Sequence, residues 1–310
     1  HPAWTELFLH PELKAAYETE SAGTFYGDVS AQLTATGGDG DASYTSTTYG
    51  HPVALGIENL YAGWRSGKVL SGLGLDDDAL DISGGRQSFR VADGFLISSG
   101  VANGGLRGGW WTQSRTAFAQ TGLLKFATGP VRADVFYLEN DSSQHSYTQS
   151  IGGGNAAPDM AKTSLIGTNI ELFGNADKVE GGPERNGATT YADRQWYAGA
   201  TFFHVLDAKS TGQFAFDSAD AKNSTVTNAT ITNVLSSNRD GMNVFDAHFG
   251  GNPFSFVPDF SFYGNYVYET NGGGKKVDAN AWYLEPGYQF SFLPWTPKIS
   301  YRYAHFSGDD

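Results

Sequence analysis

Cysteine is absent from the 310 residues, and charged side chains are scarce at 17%. Without cysteine there is neither a disulfide framework nor a thiolate metal site. No run of about 18 apolar residues occurs, which excludes a membrane-spanning helix. It does not exclude a spanning β-strand, which needs only about 9–11 residues with every second one apolar. Bases are outnumbered, 20 Lys and Arg against 33 Asp and Glu, and the formal charge of −13 lacks the basic footprint of a nucleic-acid binder. No signal peptide is legible at "HPAWTELFLH", which leaves the chain mature, trimmed or cytosolic. There is no G-x-S-x-G elbow, zinc-spaced histidine pair, P-loop or Rossmann fingerprint. Accordingly no enzymatic activity, catalytic residue, metal ligand or cofactor is expected.

What the chain has in quantity is glycine, 40 residues, and aromatic side chains at 14%. Antiparallel sheets and their turns use both. The stretch 281–306, "AWYLEPGYQFSFLPWTPKISYRYAHF", shows how they are arranged. Trp282, Leu284, Pro286, Tyr288, Phe290 and Phe292 alternate with Ala281, Tyr283, Glu285, Gly287, Gln289 and Ser291. After "LPWTP", Ile299, Tyr301 and Tyr303 alternate with Lys298, Ser300 and Arg302. One face is aromatic and greasy, and the other carries carboxylate, amide and guanidinium.

The same period of two recurs at 12–19, 24–36, 53–65, 79–91, 115–127, 131–139, 163–173, 194–206, 241–250, 259–270, 279–292 and 297–306. That predicts about twelve strands. Connections tend to alternate between short ("ESAG", "ATGPV", "GGNPFSFVP", "FLPWTP") and long (37–52, 92–114, 140–162, 207–240). The link at 174–193 and the brief "NGGGKK" break that parity. Short turns at one end and long loops at the other are what a membrane barrel shows. A soluble propeller or sandwich would have evenly short connections and a blade or sheet repeat. The expected fold is therefore all-β: an antiparallel transmembrane up-and-down β-barrel, residues 1–310 forming one domain. The competing reading is an aromatic-rich soluble β-protein.

Aromatic residues near strand ends, among them Tyr61, Trp64, Tyr137, Trp196, Tyr266, Tyr288, Trp295 and Tyr301, suit the lipid–water boundary. The opposite face, with Lys14, Asp28, Gln32, Arg132, Asp134, Glu285 and Arg302, is expected to line a wet lumen. Turn geometry places Lys14 diagonal to Asp28, Arg302 near Glu285 or Gly287, and Lys125 opposite Arg132 as an unneutralised basic pair. "DDDALD" at 76–81 reads as a solvated turn rather than a calcium loop.

Residues 80–111 depart from the pattern. The strand "LDIS" runs into Gly84 and Gly85, where a bulge is expected to re-aim Arg86 and Arg90. The glycine-rich, weakly apolar segment that follows suggests a piece of chain folded inward or docked on the barrel wall.

On "GRQSFRVADGFLISSG" (85–100), "RGGWWTQSRTAF" (107–118), "RDGMNVFDAHF" (239–249) and "ISYRYAHFSGDD" (299–310), the chain resembles the alginate-export-type outer-membrane porins of Gram-negative bacteria. The resemblance implies an outer-membrane barrel of about sixteen to eighteen strands that passes sugars, polysaccharide or other solutes. It also implies contact with membrane lipid and lipopolysaccharide, and it places Arg86 at the family's GRQ position. With about twelve strands and an end at "HFSGDD", the chain is expected to be an incomplete portion of such a barrel, short of about four to six strands, the alternative being a smaller closed barrel with an unusual end.

The function expected on these grounds is passive diffusion of small hydrophilic or anionic solutes through a porin. Candidate pore-lining residues are Arg86, Arg90, Arg107, Arg115, Lys125, Arg132, Asp134, Asp28, Glu285 and Arg302, since inward charge biases which solute passes. The alternative is a barrel scaffold or surface-adhesion protein whose long extracellular loops bind a protein partner or polymer.

Overall fold

The computed structural model describes residues 3–38, 51–100, 103, 107–140, 162–174, 196–211, 234–236, 239–254, 256–272 and 277–308. The candidate partner-binding loops at 37–52, 141–162 and 207–240 lie mostly outside the described residues. Period-two alternation yields, in chain order, β1 (Trp4–Leu9), β2 (Glu12–Thr19), β3 (Gly23–Gly38), β4 (Val53–Arg65), β5 (Leu80–Gln87), β6 (Phe118–Thr128), β7 (Val131–Glu139) and β8 (Thr163–Gly174). Then come β9 (Trp196–Thr211), β10 (Val234–Ser236), β11 (Asn243–Gly251), β12 (Phe260–Asn271), β13 (Val277–Gln289), β14 (Lys298–Ser300) and β15 (Tyr303–Phe306).

Successive strands pair antiparallel, so the sheet is an up-and-down meander. β1 and β2 are halves of one row against β3. They part at His10-Pro11, where proline has no N–H for the ladder but its carbonyl accepts the Ala31 N–H at 3.0 Å. β14 and β15 likewise share one row against β13. β10 pairs only with the far end of β9. Among the described residues the meander therefore has twelve rows. β1 escapes the sequence reading because "WTELFL" is apolar on both of its faces. Among the described residues the first row and the last are not hydrogen-bonded to each other.

Burial along the strands is inverted relative to a soluble sheet. On β3, Asp28, Ser30, Gln32, Thr34 and Thr36 are buried, while Phe25 and Val29 are exposed. On β8, Asn169 and Glu171 are buried, while Ile166, Ile170 and Leu172 are exposed. On β11, Asp246 and His248 are buried, and Phe245 is exposed. An apolar face continued across row after row exceeds the few hundred Å² of contiguous apolar patch that water-soluble monomers carry. Hydrocarbon is the solvent that suits it, and a sheet meets hydrocarbon only with its backbone groups paired. The fold is the wall of a transmembrane up-and-down β-barrel, its polar alternates inward and its apolar alternates toward lipid.

Three register shifts interrupt the ladders. Between Val29 and Ala31, one residue of β3 faces two of β4, so that Glu58 and Asn59 both have inward partners. Between Gly85 and Gln87 the ladder with β6 slips, as the GRQ stretch suggested. There Gly85 has φ of 126°, and a Cβ would sit 2.4 Å from the Leu60 carbonyl oxygen, so only glycine fits. The third shift lies between Ser164 and Leu165.

Two expected registers are corrected. Lys14 stands directly opposite Asp28 rather than diagonal to it, and its ammonium pairs with Glu12 at 3.0 Å. Lys125 faces Asp134, not Arg132, because the tight turn pairs Thr128 with Val131 and Ala127 with Arg132. No bare basic pair forms. Arg302 does meet Glu285, Nε to Oε2 at 2.6 Å. In "DDDALD", Asp76 accepts the Gly129 N–H at 2.7 Å and Asp78 accepts the Gly67 N–H at 3.0 Å, so these acids tie turns together.

If the outer face meets lipid, Ile170→Arg will cost about 2–4 kcal/mol in urea unfolding from lipid vesicles. A cost below about 0.5 kcal/mol would show that this face is in water.

Candidate functional site

Between β5 and β6 the chain leaves the wall, and the described residues of 88–117 (88–100, 103 and 107–117) fold into the interior. The segment is fixed at several points. Glu58 Oε1 accepts the backbone N–H groups of Thr116 and Ala117 at 2.6 and 2.8 Å. Glu6 accepts those of Trp111 and Thr112 at 3.2 and 2.9 Å. Bonds from charged acceptors of this kind are about twice as strong as neutral ones. Arg115 Nη2 donates to Thr34 Oγ1 at 2.9 Å and to the Ala54 carbonyl at 3.2 Å, and Thr34 Oγ1 donates to the Arg107 carbonyl at 2.6 Å. At its other end Tyr283 donates to Asp93, and Phe95 packs on Tyr283 and Phe306 with ring centroids 5.1 and 6.2 Å apart. One segment touching the first row, β3, β4, β13 and the last row requires the sheet to curl around it.

The first part of the segment is apolar. Phe89, Val91, Ala92 and Ile97 join Phe136, Leu138, Phe203, Val205, Val244 and Val267 of the wall in one buried cluster. Phe89 and Phe136 lie 5.1 Å apart. Ala92 and Gln113 hold φ of 47° and 43°, a left-handed backbone that non-glycine residues adopt at a cost of about 1–2 kcal/mol each. Strain of this sort persists only where surrounding contacts over-determine it.

Toward the short turns the inner wall carries a belt of interlocked polar groups. Lys125 stands in register between Asp81 on β5 and Asp134 on β7. Arg132 Nε lies 3.1 Å from Asp134 Oδ2 and 4.0 Å from Glu171 Oε2. Asn169 donates to Asp134 at 3.2 Å, and Thr201 donates to Asn169 at 3.0 Å. His248 completes the belt: its Nε2 is 3.2 Å from Glu171 Oε1 and its Nδ1 is 3.1 Å from Asp246 Oδ2. Both ring nitrogens meet carboxylate, which two N–H donors satisfy. Asn265 donates to the same Asp246 at 3.1 Å. Gly199 makes room for the histidine, since a Cβ there would lie 2.4 Å from His248 Nε2.

The residues singled out from sequence separate into different environments. Arg86 is partly buried: its Nε donates to the Ile57 carbonyl at 2.8 Å and its Nη2 lies 4.0 Å from Glu58. Arg90 packs against Gly94 within the segment. Arg107 and Arg115 anchor the segment to β3. Lys125, Arg132 and Asp134 belong to the belt, and Asp28 accepts from Asn59 at 3.3 Å. All six of Arg107, Arg115, Lys125, Arg132, Asp134 and Asp28 are buried, 1–6% exposed. Arg302, half exposed, lies over the Tyr283 ring at 4.3 Å, with Glu285 and Asp93 as its carboxylate partners. Sequence reasoning passed over Glu6, Glu58, Asp93, Glu171 and Asp246. Their signal was present as acids on the inward parity of strands, or in the segment itself.

No protein-family model matches the chain, and no curated protein matches it. Among solved structures, the Salmonella typhi OmpF complex with daunomycin is similar at a TM-score of 0.37 and 11% identity, covering 96% of this chain and 82% of that one. OmpT of Vibrio cholerae, an outer-membrane protein in its trimer form, is similar at 0.33 and 13%, covering 98% and 89%. A triple mutant of the Rh. blastica porin is similar at 0.32 and 13%, covering 96% and 85%. At these scores the reading of this chain rests on its own register, burial and contacts.

Glu171→Ala should leave Arg132 and His248 short of a carboxylate in a buried belt. The expected cost is about 3–5 kcal/mol, read by urea unfolding in vesicles. A change within about 0.5 kcal/mol would mean that water replaces the carboxylate freely.

Proposed function

We propose that this chain forms the wall of an outer-membrane channel for passive diffusion of small hydrophilic solutes, sugars or organic anions among them. The single observation that carries the reading is the inward segment 88–117, held on acids of the inner wall of an inside-out sheet. A segment folded into the interior and fixed there narrows the bore and sets what passes. Transmembrane barrels with polar interiors are built for the outer membranes of Gram-negative bacteria, which is the location proposed here. Lipid acyl chains and lipopolysaccharide would meet the apolar outer face. The alginate-export-type relationship is proposed on the GRQ-to-DGFLI block.

The candidate cations do not make a strong case for polyanion transport. Arg86, Lys125, Arg132 and Arg302 each stand beside carboxylates, so their fields are largely compensated within the wall. Neutral or weakly charged solutes suit this interior better. The extent of side-chain burial also favours a second reading, a closed barrel that acts as a scaffold for loops contacting a partner or polymer.

Planar-bilayer conductance of the detergent-purified protein separates the two. Steady conductance steps, reduced by a permeant sugar or organic acid, support the channel; an inserted, heat-modifiable but silent barrel supports the scaffold. In the channel case Glu58→Ala, which frees two backbone N–H groups of the segment, should raise conductance or its noise about twofold while the protein still migrates as a folded barrel. Unchanged steps would show that the segment does not set the bore.

A further inference from the structure

Where the β12–β13 ladder ends, with Phe260 opposite Tyr288, the apolar outer face does not end with it. Strand parity puts Phe249, Phe260, Phe262 and Tyr288 on the outward side, the side of the exposed Phe245, Tyr266 and Leu284. From there the rings run on past the strands. Phe249 and Phe262 lie 5.1 Å apart, Phe262 and Phe260 6.3 Å, Phe260 and Phe254 5.7 Å, and Phe254 and Phe256 5.6 Å. A second file lies alongside, Tyr288 to Phe290 at 5.1 Å and Phe290 to Phe292 at 6.0 Å. Both files finish on turns, 252–259 and 290–297, where Phe256 is 80% and Phe292 72% exposed. The first turn joins β11 to β12, with the paired rows β9 and β13 on either side, so the exposure of Phe256 is not that of a sheet edge.

These turns keep their polar backbone to themselves. Neither 252–258 nor 290–297 contains a charged residue, and four of the eleven prolines, Pro253, Pro258, Pro294 and Pro297, stand there with no N–H to satisfy. In the first turn Asn252 donates to the Val257 and Pro258 carbonyls at 2.8 and 3.0 Å, and its Oδ1 accepts the Phe254 N–H at 2.8 Å. The Val257 N–H donates to the Phe254 carbonyl at 3.0 Å. In the second, the N–H groups of Phe290, Leu293 and Thr296 donate to the carbonyls of Pro297, Phe290 and Leu293 at 2.8, 3.0 and 3.2 Å. Asp259 ties the two turns together: its carbonyl accepts the Gln289 N–H at 2.9 Å and its Oδ2 accepts the Ser291 hydroxyl at 2.5 Å. Backbone groups paired within the chain and bare phenyl rings outside it are what hydrocarbon demands, and water demands neither. At the same end of the wall, the connections 20–23 and 66–79 instead carry Glu20, Lys68 and Asp76 to Asp78, and no aromatic side chain.

We propose that the two turns form a lipid-docking plate: Phe254, Phe256 and Phe292 enter the boundary between acyl chains and headgroups in the leaflet on the short-turn side. The wall then sits deeper in lipid along β11 to β13 than along β2 and β3. Lipid is the occupant because the plate continues the lipid-facing surface ring by ring, and because phenylalanine, unlike tyrosine or tryptophan, has no polar tip to leave in water. Aromatic girdles on strand ends mark where a barrel crosses the boundary; here the turns themselves lie inside it. The proposal rests on the membrane wall and not on conduction.

Because the chain has no cysteine, an introduced thiol carries the sole nitroxide label. Single variants Phe256→Cys and Phe292→Cys probe the plate, either serving if the other fails to fold. Ile170→Cys reports the outer face and Ser21→Cys a turn in water. Each is placed in phosphatidylethanolamine–phosphatidylglycerol vesicles and checked by heat-modifiable migration. Power saturation then compares collisions with oxygen, which concentrates in hydrocarbon, and with a neutral nickel chelate, which stays in water. The oxygen-to-nickel ratio on the plate should exceed that at position 21 by about threefold or more. A ratio equal to that at 21 puts the turns in water and overturns the plate, while a lipid-like Ile170 label leaves the wall standing. Few collisions with either reagent mean that protein, a second copy or another chain, covers the turns, which also overturns it. An Ile170 label as open to nickel as that at 21 removes the membrane wall and the plate together.

Discussion

The constraint on which this structure depends is that a strand offers its side chains two environments and no more. When lipid takes one, every polar alternate is committed to the other, and it must be satisfied there without bulk water to help. A buried charge left without a partner costs several kcal/mol, so the inner wall cannot be a random scatter of polar residues. The belt is the solution found here. Asp81, Lys125, Asp134, Arg132, Glu171, His248 and Asp246 run across the rows from β5 to β11, and the amides of Asn169 and Asn265 and the hydroxyl of Thr201 donate into the same network. The register that pairs the backbones is the same register that pairs the charges.

The inward segment follows from the same constraint. Its backbone donors, buried away from any ladder, need acceptors, and the wall supplies them from acids on the inward parity. Glu58 is available for this because the bulge opposite Ser30 leaves Asn59 to answer Asp28 and Glu12 instead. One extra residue in β4 thus serves two separate duties. On the apolar half of the segment the logic is hydrophobic: Phe89, Val91 and Ile97 would otherwise stand in water, and inward-facing Phe136, Phe203 and Val244 receive them.

Much of the wall was legible in sequence because period two is a property of the strand itself. The alternation around Asp28, Asp134, Ile170 and Glu285 marks both the rows and their faces. What sequence left out is what depends on contacts between distant rows. Period two puts Asp246 and His248 on one face of β11, but nothing local says that Glu171 of β8 will reach His248 from beyond β9. The misplaced Lys125 shows a second limit. A turn centred one residue further along the chain slides the register by one inward position, so that Lys125 stands opposite Asp134 and not Arg132. The inward course of 88–117 was suggested by its glycine-rich, weakly apolar composition, but its anchors were not, because Glu6 sits in a stretch that is apolar on both parities.

The segment also has a mechanical meaning. A curved sheet held only by its own ladders sets its curvature through strand twist and bulges, which are soft. Here a stiff internal member reaches from Glu6 on the first row to Tyr283 and Phe306 near the last, much as a spoke fixes the rim of a wheel. Rows far apart in the chain are thereby kept at a set distance across the interior. Anything that loosens one end of that spoke alters the girth of the wall as well as the space beside it, so shape and passage are governed by the same few contacts.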